Sequence, residues 1–258
     1  MPYVYDIGSF KGSNGNTILK PDLTVVAHNV AYQMTTEKKI LGATYGWALI
    51  IPIVNTRVVA NVLNTTAQEG GVSDIYFAPV VLGWEKGKAT YLLNYGFYAP
   101  VGDFDPTKAL NPGLGFWEHQ IQAGAGYSFD ARKLWNASAL TTWEINQSKS
   151  GLDLKPGPMF NLEYSLGHRF DQYKINLGAA GAIYKKLSAD TGSDVSPLAA
   201  GVLDRAFGIG PEIKYTNPMK HLGLDFRYEY QFGDESKTQG NVFAVGITWL
   251  KIFPPSHK

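Results

Sequence analysis

Acidic, amide and basic side chains stand at every second position along several stretches of this 258-residue chain: Glu118, Gln120 and Gln122; Glu144 and Asn146; Asn161 and Glu163; Glu212 and Lys214; Asp225, Arg227 and Glu229. Such groups can trade protons, hold a metal, or line a wet path in which both signs pair off. The metal reading fails on spacing. His28, His168 and His221 are dispersed, none has the close His, Asp or Glu partner of a metal motif, and there is no Cys. Lipid hydrolysis would need a Ser and a His within reach of each other on a lipid-facing wall. His119 shares the parity of Trp117 and Ile121, but its expected neighbours, Tyr95, Phe97, Ala99, Thr141, Trp143 and Ile145, include no Ser. The Gly-x-Gly pairs at Gly124-Gly126 and Gly208-Gly210 open no helix, so they are not dinucleotide signatures. No catalytic residue, metal or cofactor is expected.

The elements that carry these groups are strands. From 221 to 233, Leu222, Leu224, Phe226, Tyr228, Tyr230 and Phe232 fall on one face, and Asp225, Arg227, Glu229 and Gln231 on the other. Helical spacing would scatter both sets around every side, whereas period 2 sorts them. The alternation recurs at 117–129, 134–146 and 159–169, less strictly at 40–52, 88–100, 172–185, 204–216 and 241–253, and with weaker phase at 2–10, 22–34 and 73–85. That makes twelve strands. Short links at 35–39, 86–87, 130–133, 171 and 217–220 alternate with longer ones near 11–21, 53–72, 101–116, 147–157, 186–203 and 234–240. An up-and-down meander with one tidy and one elaborate end has this pattern.

Net charge is +1, 17% of residues are charged and 13% aromatic, which excludes a broad nucleic-acid surface, disorder and a disulfide scaffold. The longest nearly apolar stretch, Gly46 to Val54, is far shorter than the ~20 residues of a membrane helix. The start Met1-Pro2-Tyr3-Val4-Tyr5-Asp6 has no basic n-region and no apolar h-region, so a signal peptide is expected to be absent from this chain. A soluble sandwich also alternates, but its strands run to about 5–6 residues, while tilted membrane strands need about 9–11. Strand ends carry Trp117, Tyr127, Trp135, Trp143, Tyr228, Tyr230 and Trp249, as aromatic girdles do. The expected fold is therefore a single all-β domain over 1–258: a closed transmembrane antiparallel β-barrel, strands spanning about 2–253 and a tail at 254–258. Phe243, Val245, Ile247, Trp249 and Phe253 share one parity in the last strand, which resembles the terminal strand of bacterial outer-membrane barrels.

An even strand count puts both termini on the periplasmic side and the long loops outside. Twelve strands leave a narrow lumen. Its expected lining is Asp74, Glu118, Gln120, Gln122, Glu144, Asn146, Asn161, Glu163, Arg169, Lys174, Asn176, Glu212, Lys214, Asp225, Arg227 and Glu229. Such residues pair across the lumen to hold its shape, or also form a path with a mild cation preference. The run Gly178 to Ala182 marks either a tightly curved wall or room for a solute or an inward loop. Pro52 is read at a strand end, while Pro79 and Pro211 fall inside strands and imply bulges or, alternatively, a wall opening for sideways exit.

Ala99-Pro100-Val101-Gly102-Asp103-Phe104, then Asn111-Pro112-Gly113-Leu114-Gly115-Phe116-Trp117, together with Leu41-Gly42-Ala43-Thr44-Tyr45-Gly46 and Ser73-Asp74-Ile75, resemble the outer-membrane channel family named for the MetA pathway of phenol degradation. The similarity runs over nearly the whole chain, with Val101 and Ser73 departing from the residues common there. The resemblance implies a monomeric twelve-stranded barrel in the outer membrane of Gram-negative bacteria, surrounded by lipid and lipopolysaccharide. It implies passive entry of small hydrophobic or aromatic compounds, with no nucleic acid as partner. Loops 102–116 and 187–203, with Asp103, Asp105, Asn111, Asp190 and Asp194, are candidates to narrow the lumen or are plain surface loops. A nucleoside-type channel is the nearer alternative, with Tyr76, Tyr98 and Trp84 as stacking partners. An outer-membrane lipid hydrolase is the more distant one. Residues 2–10 form either the first strand or a plug.

Overall fold

The computed structural model describes residues 2–60, 65–108, 110–197 and 199–251. Among them lie fourteen strands: β1 (Pro2–Lys11), β2 (Thr17–Leu19), β3 (Asp22–Ile40), β4 (Ala43–Ala60), β5 (Thr65–Val72), β6 (Ile75–Lys86), β7 (Ala89–Ala99), β8 (Glu118–Ser128), β9 (Trp135–Asn146), β10 (Met159–Phe170), β11 (Ile175–Lys186), β12 (Arg205–Asn217), β13 (Leu222–Glu235) and β14 (Thr238–Trp249). Leaving out the short β2 and β5, twelve strands pair antiparallel, each with the next, and β14 returns to β1. Residues 2–10 are thus a strand and close the barrel: Tyr3 stands opposite Ala244 on one side and Ala27 on the other. Closure leaves no sheet edge for lipid to solvate, the condition for a sheet to cross a bilayer.

Period 2 sorts the barrel into two solvents. Ile121, Trp143, Leu166, Ile213, Phe226 and Val245 are exposed on the outside, although they are among the most apolar residues of the chain. Glu118, Gln120, Thr142, Asn146 and Glu229 point inward and are buried. Only a hydrocarbon surrounding makes that arrangement stable.

The links differ from expectation in three places; one is 53–72, which is mostly strand because β4 runs on to Ala60 and β5 covers Thr65–Val72. Thr35 and Lys39 bracket a bulge within β3, where the Thr36 hydroxyl donates to the Tyr45 carbonyl (2.9 Å), and the chain turns instead at Leu41-Gly42, both at positive φ. The stretch 234–240, rich in turn-forming residues, is almost wholly strand: β13 runs to Glu235, the tight turn is made at Ser236 (φ 52°), and β14 starts at Thr238. The last strand ends at Trp249; the expected terminal Phe253 and the 254–258 tail lie outside the described residues.

The prolines separate by mechanism. Pro79 sits in a bulge between Phe77 and Val80 and accepts the Tyr45 hydroxyl (2.8 Å). Pro52 is not at a strand end: it lies inside β4, where the neighbour changes from β6 to β5, so its missing N–H falls at a gap in the ladder. At Pro211 no bulge forms; the pairing with β13 skips Gly210 and Pro211 and resumes in the same register.

Candidate functional site

Three loops interlock at the elaborate end. The first, 100–117, hangs on Asp74, which sits between β5 and β6 and is 1% exposed. Its carboxylate accepts the N–H groups of Gly102 (3.0 Å) and Leu114 (2.8 Å), while Asp103 donates its N–H to the Val72 carbonyl (3.1 Å). The approach demands glycine: a Cβ on Gly102 would lie 2.6 Å from the Ser73 carbonyl carbon. Asp74 is therefore a loop anchor and not part of an open lumen wall.

Loop 147–158 joins this one through Ser150 N–H to the Gly115 carbonyl (2.8 Å). Lys149 lies over the Phe104 and Phe116 rings, and burial lowers its pKa. Loop 187–204 is bound in turn. The Asp153 carboxylate accepts from the Ser193 N–H (2.9 Å) and hydroxyl (2.8 Å), Asp194 accepts from Asp153 N–H (2.7 Å), and Lys155 and Thr191 form a two-way bridge. Asp190 takes the Gly157 N–H (2.8 Å) and pairs with Lys186 (2.7 Å). Of the five loop residues singled out by sequence, Asp103 ties the first loop to β5 and to Gly113 through its backbone, Asp105 and Asn111 act within that loop, and Asp190 and Asp194 act between the second and third. Asp105 accepts from Thr107 and donates its own N–H to Asn111, and the Thr107 bonds lower its pKa.

Below this cap the lumen wall divides. On β7, β8 and β9 it is a hydrogen-bonded lattice: Asn94 donates to the Tyr76 hydroxyl (3.1 Å) and to Gln122 (2.7 Å), Gln122 to Thr142 (3.2 Å), and Gln120 to Glu118 (2.8 Å). Beside it the lumen opens into two chambers of about 410 and 420 Å³, the first reaching under the lattice along the other ends of β7, β8 and β9. The outer one is lined by Tyr3, Tyr5, Asn161, Tyr184, Gln231, Lys237, Val242 and Ala244, and the inner one by Thr90, Leu92, Ser138, Leu140, Ser165, Ala180, Glu212 and Lys214. The inner residues lie near the short turns.

Glu163 and Arg227 are the residues common to both linings. Arg227 on β13 reaches over β12 and β11 to Glu163 on β10 (3.2 Å), and its other terminal nitrogen holds Glu229 (2.8 Å). The strands beneath are stripped of bulk: Ala180 and Ala182 on β11, Ala206 and Gly208 on β12. A Cβ on Gly208 would lie 2.0 Å from a Glu229 carboxylate oxygen. The small residues of β11 make room for a chord of charged side chains across the lumen.

The remaining expected lining residues take other places. Glu144 faces the outer end of the lumen near Glu118. Glu212 pairs with Lys214 (2.9 Å), and Asp225 stands in register with Lys214. Arg169 and Lys174 lie at the rim of the short turns, bonded to Asp171 (2.6 Å) and Asn217 (3.1 Å), with Asn176 nearby on Asn136 (3.3 Å). Tyr76 and Tyr98 do pair, ring centroids 4.9 Å apart, but border neither chamber, while the Trp84 indole N–H is spent on the Leu41 carbonyl (3.1 Å).

Comparison with known proteins agrees with this architecture. A family model described as "Putative MetA-pathway of phenol degradation" matches residues 7–247. The crystal structure of an outer membrane channel from Pseudomonas putida F1 superposes with a TM-score of 0.80 at 12% sequence identity, over 95% of this chain and 92% of that one. At that identity the likeness establishes the fold. No curated protein matches the chain.

Proposed function

The chain belongs to the MetA-pathway of phenol degradation family, and we propose that it is a bacterial outer-membrane channel through which small hydrophobic or aromatic compounds enter passively. The observation that carries this reading is the pair of chambers in tandem inside a closed barrel, each about 410–420 Å³. That volume is at the small end of ligand pockets and suits a single-ring molecule. Leu92, Leu140, Ala180, Val242 and Ala244 give the chambers apolar wall, and Asn161, Gln231, Ser138 and Ser165 give polar contacts. Such a path helps even a membrane-soluble compound, because a lipopolysaccharide leaflet dissolves apolar molecules poorly. The interlocked loops act as the outer gate, and the protein works as a monomer in lipid and lipopolysaccharide.

Enzyme chemistry has no support from the site. His119 faces outward between the Tyr95 hydroxyl (3.0 Å) and the Gln147 amide (3.2 Å), neither of them a nucleophile it could activate as in a Ser–His pair. Nucleoside transport is disfavoured by the position of the Tyr76–Tyr98 pair outside both chambers.

The test uses intact Gram-negative cells, whose outer leaflet supplies the barrier that a phospholipid vesicle lacks. Uptake of radiolabelled phenol, toluene and uridine is compared in cells with and without the barrel. Faster entry of the aromatic compounds alone supports the proposal; faster entry of uridine alone, or of none, refutes it.

A further inference from the structure

The chord of charge across the lumen has a consequence for what can move between the chambers. Arg227 and Glu163 border both, so a solute leaving one for the other must pass the guanidinium. The guanidinium is not free to bind what passes. Glu163 holds one terminal nitrogen (3.2 Å) and Glu229 the other (2.8 Å), and the Arg227 and Glu229 side chains are only 20% and 10% exposed. A flexible side chain is thereby fixed in mid-lumen by two contacts, both charge-assisted.

The charge at this point is one cation against two carboxylates. The other cations bordering the chambers are neutralised locally: Lys214 sits on Glu212 (2.9 Å), and Lys237 on Asp204 (3.6 Å) with its ammonium over the Tyr184 ring. Asp225 adds a further carboxylate to the inward row on the periplasmic side. An anion crossing from the outer to the inner chamber therefore meets an excess of negative charge at the boundary between them, and the one positive group there is already occupied.

We propose that Arg227, clamped between Glu163 and Glu229, is the specificity-determining partition of the pore, passing neutral solutes and small cations and holding back anions. The inference rests on the channel reading above but concerns charge, not the identity of the aromatic solute. The clamp fixes the position of the barrier, and its net charge fixes the sign of the selection. For an aromatic compound the partition separates protonation states: a neutral phenol crosses, and an aromatic carboxylate does not.

The experiment is the reversal potential of the full barrel in planar bilayers under a potassium chloride gradient, with folding of each variant verified by its heat-modifiable migration. A unit charge a few ångströms from the path changes ion occupancy ~4-fold in a water-like medium and more in a narrow lumen. Wild type is expected to prefer potassium. The double variant Glu163→Gln, Glu229→Gln leaves Arg227 charged and unclamped and is expected to lower the potassium-to-chloride permeability ratio at least ~4-fold. Arg227→Gln removes the cation and is expected to raise that ratio and the conductance together. Chloride preference in wild type, or permeability ratios in both variants equal to wild type, overturns the partition. If the ratios move as stated while cells carrying the barrel take up no aromatic compound, the partition stands and the solute assignment fails.

Discussion

Replacing Asp74 by Ala should detach the first loop from the barrel while leaving the barrel intact. Two N–H groups, from Gly102 and Leu114, end on this carboxylate at 3.0 and 2.8 Å, in a site that is 1% exposed. Hydrogen bonds to a charged group contribute ~1.5–3 kcal/mol each, and the two N–H groups left without an acceptor are desolvated unless the loop opens. Taking the lower figure for both gives ~3 kcal/mol, or ~100-fold in the equilibrium between attached and open loop. Amide exchange at Gly102 and Leu114 should accelerate by about that factor, and trypsin should cut after Lys108, whose side chain is half exposed and tied to Glu69 (2.9 Å). Asp74→Asn keeps one acceptor oxygen and should fall between. The reasoning is refuted if exchange at both amides and cleavage at Lys108 match wild type in a barrel that still migrates as folded.

Other outcomes follow from the same geometry. In Gly208→Ala the new methyl would occupy the place of the Glu229 side chain, so reversal-potential measurements should move in the direction of Glu229→Gln; an unchanged potential would show that Glu229 has room elsewhere. Asp153 is held below its ordinary value of 3.8, first by the Ser193 N–H and then by its hydroxyl, so the latch it forms is complete above 3.8 and is lost only as pH falls through the lowered value. Exchange protection at the Ser193 amide, followed against pH, should therefore persist at 3.8; loss at or above that value contradicts the assignment. Phe226→Arg puts a charge on the lipid face and should cost up to ~2–4 kcal/mol in bilayer folding titrations, depending on depth, whereas the same change in water would cost little.

Strand count, closure and the two faces were legible because the chain meets two solvents and period 2 records which one each residue meets. In β13 no residue from Leu224 to Phe232 departs from that rule. The short β2 and β5 were not legible: β5 reads Thr-Thr-Ala-Gln-Glu-Gly-Gly-Val, without alternation, because it flanks β4 beyond the sorted part of the wall. The charged residues of the lumen could be assigned to the inside one at a time, but not to one another. Arg227 and Glu163 lie 64 positions apart with two strands between them, and pairing depends on tilt and stagger around a closed circumference, which parity does not contain. One signal did point there: inward Ala or Gly at 178, 180 and 182 on β11 and again at 206, 208 and 210 on β12 leaves a strip of wall that only long side chains from neighbouring strands could fill.

Three of the four stretches that carry the family resemblance, all but Leu41–Gly46 at the β3–β4 turn, tell two parts of the molecule apart. Ser73-Asp74-Ile75, the segment from Ala99 to Phe104 and the segment from Asn111 to Trp117 are far apart in sequence, yet they converge on one carboxylate at the outer rim. None of them lines a chamber. Close approach explains the difference. At Gly102 and Gly113 a Cβ would point to within about 3 Å of the Asp74 carboxylate or its backbone, so these two positions have few sequence solutions. A lumen wall needs only polarity at alternate positions and a balance of charge, which many residues satisfy. The anchor of the loop is thus written in identities and the lumen wall in pattern. A barrel of this kind can change what it admits by substituting lumen side chains while keeping the Asp74 anchor, and grafting a relative's inward residues onto this chain should transfer ion preference without altering exchange at Gly102 or Leu114.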